Sequence, residues 1–266
     1  NLTISDATYF ADSSETPIDL RTSGTVDLSG ISLTGQFSTM QGSFDAPWIA
    51  MALMGSGDYL ISSSNIEATD FAMKASGTGT LSISDSVFSS ENIGLSFSGI
   101  SGTTLENVTV NISAGGQQGI DILQGAHQFS ELEVNMPFNQ FEAGSTGIEA
   151  WWCSINSEDV TVSGFANSLS IYESMANFQD LDLLISSKKG LYASSSMVHV
   201  SDSLVTSVAD IGLELVSSEV VLRTWSSGYH EDGALIDTDS EVTVWSLATT
   251  SNLNSDSSGD GTLNYG

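Results

Sequence analysis

Basic residues are almost missing from this chain. Five Lys and Arg stand against 33 Asp and Glu in 266 residues, a formal charge of −28. That balance excludes nucleic acid and direct anionic membrane binding, because both need clustered cations on phosphates. The one basic doublet, Lys188-Lys189, reads as a solvated turn. Cysteine is reduced to Cys153, so no internal disulfide forms, and the lone thiol reads as a small buried residue. Only three prolines occur, which suits uninterrupted hydrogen-bonded ladders. Apolar runs of about 18 residues are absent, which excludes a membrane-spanning helix. No signal peptide stands at the start. Asn1-Leu2-Thr3-Ile4 already has a strand pattern, as expected of a piece processed or excised from a longer chain.

What is present is a core and a period. Hydrophobic residues make up 40% of the chain, too many for a disordered acidic tail. The acidity suits a salty or calcium-containing medium, where ions screen self-repulsion beyond about 8 Å. From Met175 onward, blocks begin at Met197, Glu219 and Glu241. Phe178, Val200, Leu222 and Val244 recur at a spacing of 22 residues, as do Leu191, Leu213 and Leu235. A fixed period of this size marks a solenoid, in which each repeat stacks on the next.

The same pattern reaches back to the start. One apolar series runs through Leu2/Ile4, Val26/Leu28, Leu60 or Tyr59 with Ile61, Leu81/Ile83, Val108/Val110, Leu132/Val134, Val160/Val162 and Ala176/Phe178. It continues through Val198/Val200, Val220/Leu222 and Val242/Val244. A second runs from Ile18/Leu20 to Leu235, through Ile120/Ile122 and Ile148/Ala150. A third, weaker one is Ile31, Val87, Phe165, Leu181, Leu204, Trp225 and Leu247. Alternation of apolar residues with Ser or Thr signals half-buried strands. Gly94, Gly119, Gly147, Gly190 and Gly212 precede the second series, where positive φ or close approach of coils would require glycine.

These observations predict an all-β chain: a right-handed parallel β-helix of about eleven coils of roughly 22 residues, with three parallel sheets. Residues 1–250 form the helix domain. Residues 251–266 are an acidic Gly/Asn/Ser-rich terminal turn or linker. Extra length falls near Phe37 to Pro47 and near Met136 to Ser145, where loops would cover a sheet or build a binding face.

This coil grammar resembles the right-handed parallel β-helix family, the pectate-lyase-like solenoids of secreted and surface-attached prokaryotic proteins. The acidic, Ser-rich composition is also similar to that of cell-surface proteins of marine or salt-adapted prokaryotes, archaea included. The family resemblance implies an extracellular or cell-surface location and covers lyases, hydrolases, adhesins and stalks alike. The lyases carry basic residues beside Asp-bound calcium in an Arg-x-Pro-x-x-Arg arrangement. The hydrolases carry Asn-Thr-Asp, Asp-Asp and Gly-His-Gly signatures. Neither set occurs in this sequence, and Arg21, Lys74, Lys188, Lys189 and Arg223 are scattered. No catalytic residue is therefore assigned.

Calcium is the one cofactor the residues favour. Asn252, Asn254, Asp256 and Asp260 place oxygen donors at spaced positions before a Gly turn, as hard cations require. Asp237, Asp239 and Glu241 form a second, weaker set. Asn1, Asn107 and Asn111 open N-x-Ser/Thr sequons and are candidate glycan acceptors. Trp151 and Trp152 would form a sugar-binding platform, unless alternation buries one indole and leaves the other outside. His199 falls in an outward slot, and His230-Glu231-Asp232 reads as a solvated turn.

The expectation is a non-catalytic extracellular structural or adhesive module of a larger surface protein or filament. Its partners would be further copies stacked end to end, neighbouring domains of the same protein, or carbohydrate. The alternative is a carbohydrate-binding or carbohydrate-active β-helix of the glycoside hydrolase or polysaccharide lyase kind.

Overall fold

Alternating short apolar words separated by Ser, Asp and Gly become three stacks of parallel strands that wind around one core. The computed structural model describes residues 1–11, 16–35, 49–113, 115–137, 144–206, 210–228, 232–245, 247–250 and 262–265. Every described pairing between strands is parallel, as the winding of successive coils requires, and no helix occurs among the described residues. The chain is a parallel β-solenoid. Its three sheets run together for about nine turns, against the eleven expected.

The first sheet begins with Leu2–Ser5, Thr25–Ser29 and Asp58–Ser62. It passes through the opening part of Thr80–Ser90 and ends, among the described residues, with Glu241–Val244 and Thr262–Tyr265. That last strand lies inside the stretch expected to be a terminal turn or linker. The second sheet begins with Thr8–Ala11, Ser32–Gly35 and Asn65–Ala68. The third contains Ile18–Thr22, Ile49–Gly55, Phe71–Gly77 and Ile93–Ser98, and later Asn167–Tyr172, Lys189–Ser194 and Ile211–Val216. In the middle of the rod the corners are continuous strand, so Gln118–Asn135 and Thr146–Ser163 each serve all three sheets.

The core is a bundle of inward columns. Phe88, Phe97, Phe165 and Phe178 are wholly buried among Ile, Leu and Val from all three sheets. Truncating such a phenylalanine to alanine costs about 3–5 kcal/mol. The glycines before the third-sheet strands serve close approach rather than positive φ. A Cβ at Gly119 would stand 2.2 Å from Val134 and 2.5 Å from the Gly147 carbonyl; one at Gly94 would stand 2.6 Å from the Gly119 carbonyl.

The corner between the first and second sheets is a single left-handed residue, repeated coil after coil. Asp6, Gly30, Ser63, Asp85, Asn107, Glu131, Asp159, Asp180 and Asp202 all have positive φ, from 48° at Asp85 to 62° at Gly30. Asn, Asp and Gly suit this conformation best, which explains why an acidic residue so often follows the first-sheet word.

One expectation about phase is corrected. Val108/Val110, Leu132/Val134 and Val160/Val162 belong to the second sheet, in register with Ser86/Phe88 and Leu181/Leu183. The first-sheet counterparts of Leu81/Ile83 are Thr103/Leu105, His127/Phe129 and Ile155/Ser157. These words are more polar, so the stronger Val pairs masked them. Val87 and Leu204 of the expected third series face outward, 37% and 39% exposed.

Candidate functional site

The outer face of the third sheet gathers most of the described chemistry. Its outward slots lie between apolar markers: Asp121 between Ile120 and Ile122, and Glu149 between Ile148 and Ala150. Register pairing sets these two carboxylates on adjacent coils, where strand backbones are about 4.8 Å apart. Ser96 precedes Asp121 and donates to its Oδ2 at 3.2 Å. Burial pushes the Asp121 carboxyl above its usual range; the Ser96 hydrogen bond opposes this, Glu149 adds to it, and Lys74 opposes it more weakly.

Glu149 is fixed by two donors. Gln118 Nε2 reaches its Oε2 at 2.6 Å, and Trp151 Nε1 reaches its Oε1 at 2.8 Å. Trp151 then stacks on Tyr172 one coil on, with centroids 3.9 Å apart and planes 5° apart. Tyr192 follows at 5.4 Å from Tyr172, tilted by 54°. The Lys189 ammonium lies 4.3 Å from the Tyr192 ring centre and 2.9 Å from Glu214. A Trp151 face covered by Tyr172, and a Tyr192 face covered by Lys189, act in holding coils together. Trp151 is thus half-buried in an aromatic stack.

Trp152 is different. It takes the left-handed corner position, φ 51°, which breaks the alternation. Neither indole is in the core: Ala150 and Cys153 are the buried neighbours, and Trp152 is 51% exposed with Nε1 donating to Glu173 at 2.8 Å. With Met175 and Met197 it lines an open cavity of about 560 Å³.

The other predicted residues fall apart in space or outside the described chain. Asn252, Asn254, Asp256 and Asp260 lie outside the described residues, as do the apolar loop from Phe37 to Trp48, Phe138, Phe141 and His230-Glu231. The Asp237 carboxylate accepts the Ser217 N–H at 3.1 Å through each oxygen and also bonds the Ser240 hydroxyl, so it acts as a turn cap. Among the described residues no group of three His, Cys, Asp or Glu is placed to hold a metal. Asn1 is exposed; Asn107 is an exposed corner residue that donates to Asp85 at 2.8 Å; Asn111 is half-buried. His199 faces outward, and Cys153 is a free buried thiol.

Asp121 and Glu149 were not singled out from the sequence, although both sit between residues of the second apolar series. Among 33 acidic residues the slot alone does not distinguish them; the pairing of coils does. No known protein family matches the chain, and no curated protein matches it in sequence.

Proposed function

We propose that the chain is a non-catalytic structural or adhesive module of a larger extracellular or cell-surface protein. The observation that carries this reading is how the outer polar side chains are used. Many bond to their counterpart one coil away: Thr80 to Asp58, Asn92 to Asp70, Asn107 to Asp85 and Asn177 to Asn156. Such bonds reinforce a rod along its axis. An acidic exterior suits display in a salty medium.

Two assays test it. Labelling of intact source cells with antibody to the rod, before and after external protease, should give a signal that protease removes. Incubation with a panel of polysaccharides should release no new reducing ends or unsaturated products. An internal location or turnover of any polysaccharide sinks the proposal.

A second reading rests on Asp121 beside Glu149. An acid held toward its protonated form, one coil from a fixed carboxylate, supports glycoside cleavage, for which retaining enzymes use carboxyls about 5–5.5 Å apart. Its signature would be turnover that Glu149→Gln abolishes while the melting temperature stays within a few degrees.

A further inference from the structure

We propose that the outer face of the first sheet carries a separate site, a trough that takes a neutral oligosaccharide or polysaccharide chain. Thr80, Gly102, Ala126, Ser154 and Met175 occupy one register position on successive coils. Side-chain size drops at Gly102 and Ala126 and rises again at Met175. The dip opens a cavity of about 370 Å³ walled by Thr80, Ser82, Thr104, Gln128, Ser154 and Asn156. An adjoining cavity of about 220 Å³ shares Thr104, Gln128 and Asn156 and reaches Glu106 and Glu158 at its far edge.

The wall chemistry selects the ligand. On a molecule of charge −28 the six walls are uncharged hydroxyls and carboxamides. As a set they carry donors and acceptors, as sugar hydroxyls do. Thr80 already donates to Asp58 and the Asn156 carbonyl already accepts from Asn177, which leaves the Thr80 oxygen and the Asn156 amide nitrogen for a ligand. Anionic chains are repelled by the surrounding charge. A hard cation would need several carboxylate oxygens, which the six walls lack. An extended peptide is best held by an open sheet edge, and the strands under the trough are paired on both sides, to the coil before and the coil after. Only side chains are available there.

The strand that crosses the trough also supplies an apolar end. Trp152, Ser154, Asn156 and Glu158 are all exposed along Thr146–Ser163. At about 3.3 Å per residue Ser154 to Glu158 run roughly 13 Å along the sheet, and Trp152 stands beyond them at the left-handed corner. The Trp152 indole offers an apolar face for the C–H side of a sugar ring, while the carboxamides address its hydroxyls.

The experiment is calorimetric titration of the full chain with neutral gluco-, manno- and galacto-hexasaccharides, an oligogalacturonate and an acetylated oligoalanine. One neutral sugar should bind saturably. Gly102→Gln fills the dip, and its Cβ meets nothing nearer than the Ala126 carbonyl at 3.6 Å. It should weaken binding at least about tenfold, and Asn156→Ala about tenfold through loss of one hydrogen-bonding group. Circular dichroism should match the parent for both. Failure of all three neutral sugars to bind, equal binding by Gly102→Gln, or preference for the oligogalacturonate or the peptide overturns the site. The inference rests on the reading of the chain as an adhesive module, and the two fail separately. Sugar bound in the trough and cleaved would sink the non-catalytic reading alone. An inert, surface-displayed chain that binds no sugar would sink the trough alone.

Discussion

The early and late coils of this rod solve the same two corners in opposite ways. In the early coils the turn from third to first sheet is made by glycine. Gly55 and Gly77 have φ of 112° and 130°, and a Cβ at Gly77 would stand 1.9 Å from the Gly55 carbonyl. In the late coils the same turn uses Trp152, Glu173, Ser195 and Ser217 in the left-handed conformation, each followed by a small buried residue. Those residues form a spine: the N–H groups of Cys153, Ser174, Ser196 and Ser218 donate to the hydroxyls of Ser174, Ser196, Ser218 and Ser240 at 3.0–3.2 Å. At the turn from first to second sheet the roles reverse. Ser64 and Ser86 bond between early coils at 3.1 Å, whereas Val108, Leu132, Val160 and Leu181 fill that column through the middle coils, before serine returns at Ser203. A stacked corner can bring backbones together with no side chain between them, insert a side chain that satisfies the N–H it displaces, or carry an apolar residue where the strand runs on through the corner.

The sharpest way to break this comparison is at the glycine corner. Gly77→Ala adds a methyl where a carbonyl stands and forces a positive φ, and it should cost about 3 kcal/mol or more in urea unfolding. Gly102→Ala, where a Cβ has space, should shift stability by less than about 1 kcal/mol. Equal effects at the two positions would show that close approach does not govern the early corner. At the serine corner, Ser196→Ala removes the acceptor of the Ser174 N–H and the donor to the Ser194 carbonyl. It should cost about 1–3 kcal/mol, the penalty of a buried group left unpaired. A neutral result would mean the spine is ornament on a rod held by its apolar columns.

This contrast also explains what could be read from residues alone. The fold was legible because coil length is constant from Met175 onward, so Phe178, Val200 and Leu222 fall in phase by counting. The middle coils vary in length, and their first-sheet words contain Thr103, His127 and Ser157 in place of aliphatics. Hydrophobicity therefore pointed to the second-sheet Val pairs, and the phase slipped by one sheet. The slip hid the outward row Ser82, Thr104, Gln128, Asn156, Asn177 and His199. The Asp121–Glu149 pair was hidden for another reason: contact between residues 28 positions apart depends on coil length, which local pattern does not encode. Trp152 departed from strict alternation because one left-handed residue resets which side chain faces in.

The smallest effect concerns charge at the corner the two halves share. Asp159, Asp180 and Asp182 lie close enough for Asp159 and Asp180 to hold up the Asp182 carboxyl after burial has raised it. The Glu67 carboxyl is raised by burial and then by Glu91, and Asp121 is raised chiefly by burial. A carboxyl whose folded pKa is raised binds its proton more readily in the folded chain. Its cost is absent at low pH and grows as pH rises through the carboxylate range to the raised value. His127, buried, has its pKa lowered and acts in the opposite direction: it costs stability as pH falls below the ordinary histidine value. The melting temperature should therefore fall as pH drops below the ordinary histidine value and recover as pH drops further through the carboxylate range, where the three carboxyls and relief of the −28 charge act. Asp180→Asn keeps a residue suited to the left-handed corner and removes one like charge. It should add about 0.5 kcal/mol at neutral pH, the scale of an exposed charge pair, and add less at pH 4. A loss of stability at both pH values would mean that the Asp180 carboxylate bonds the corner rather than merely crowding it.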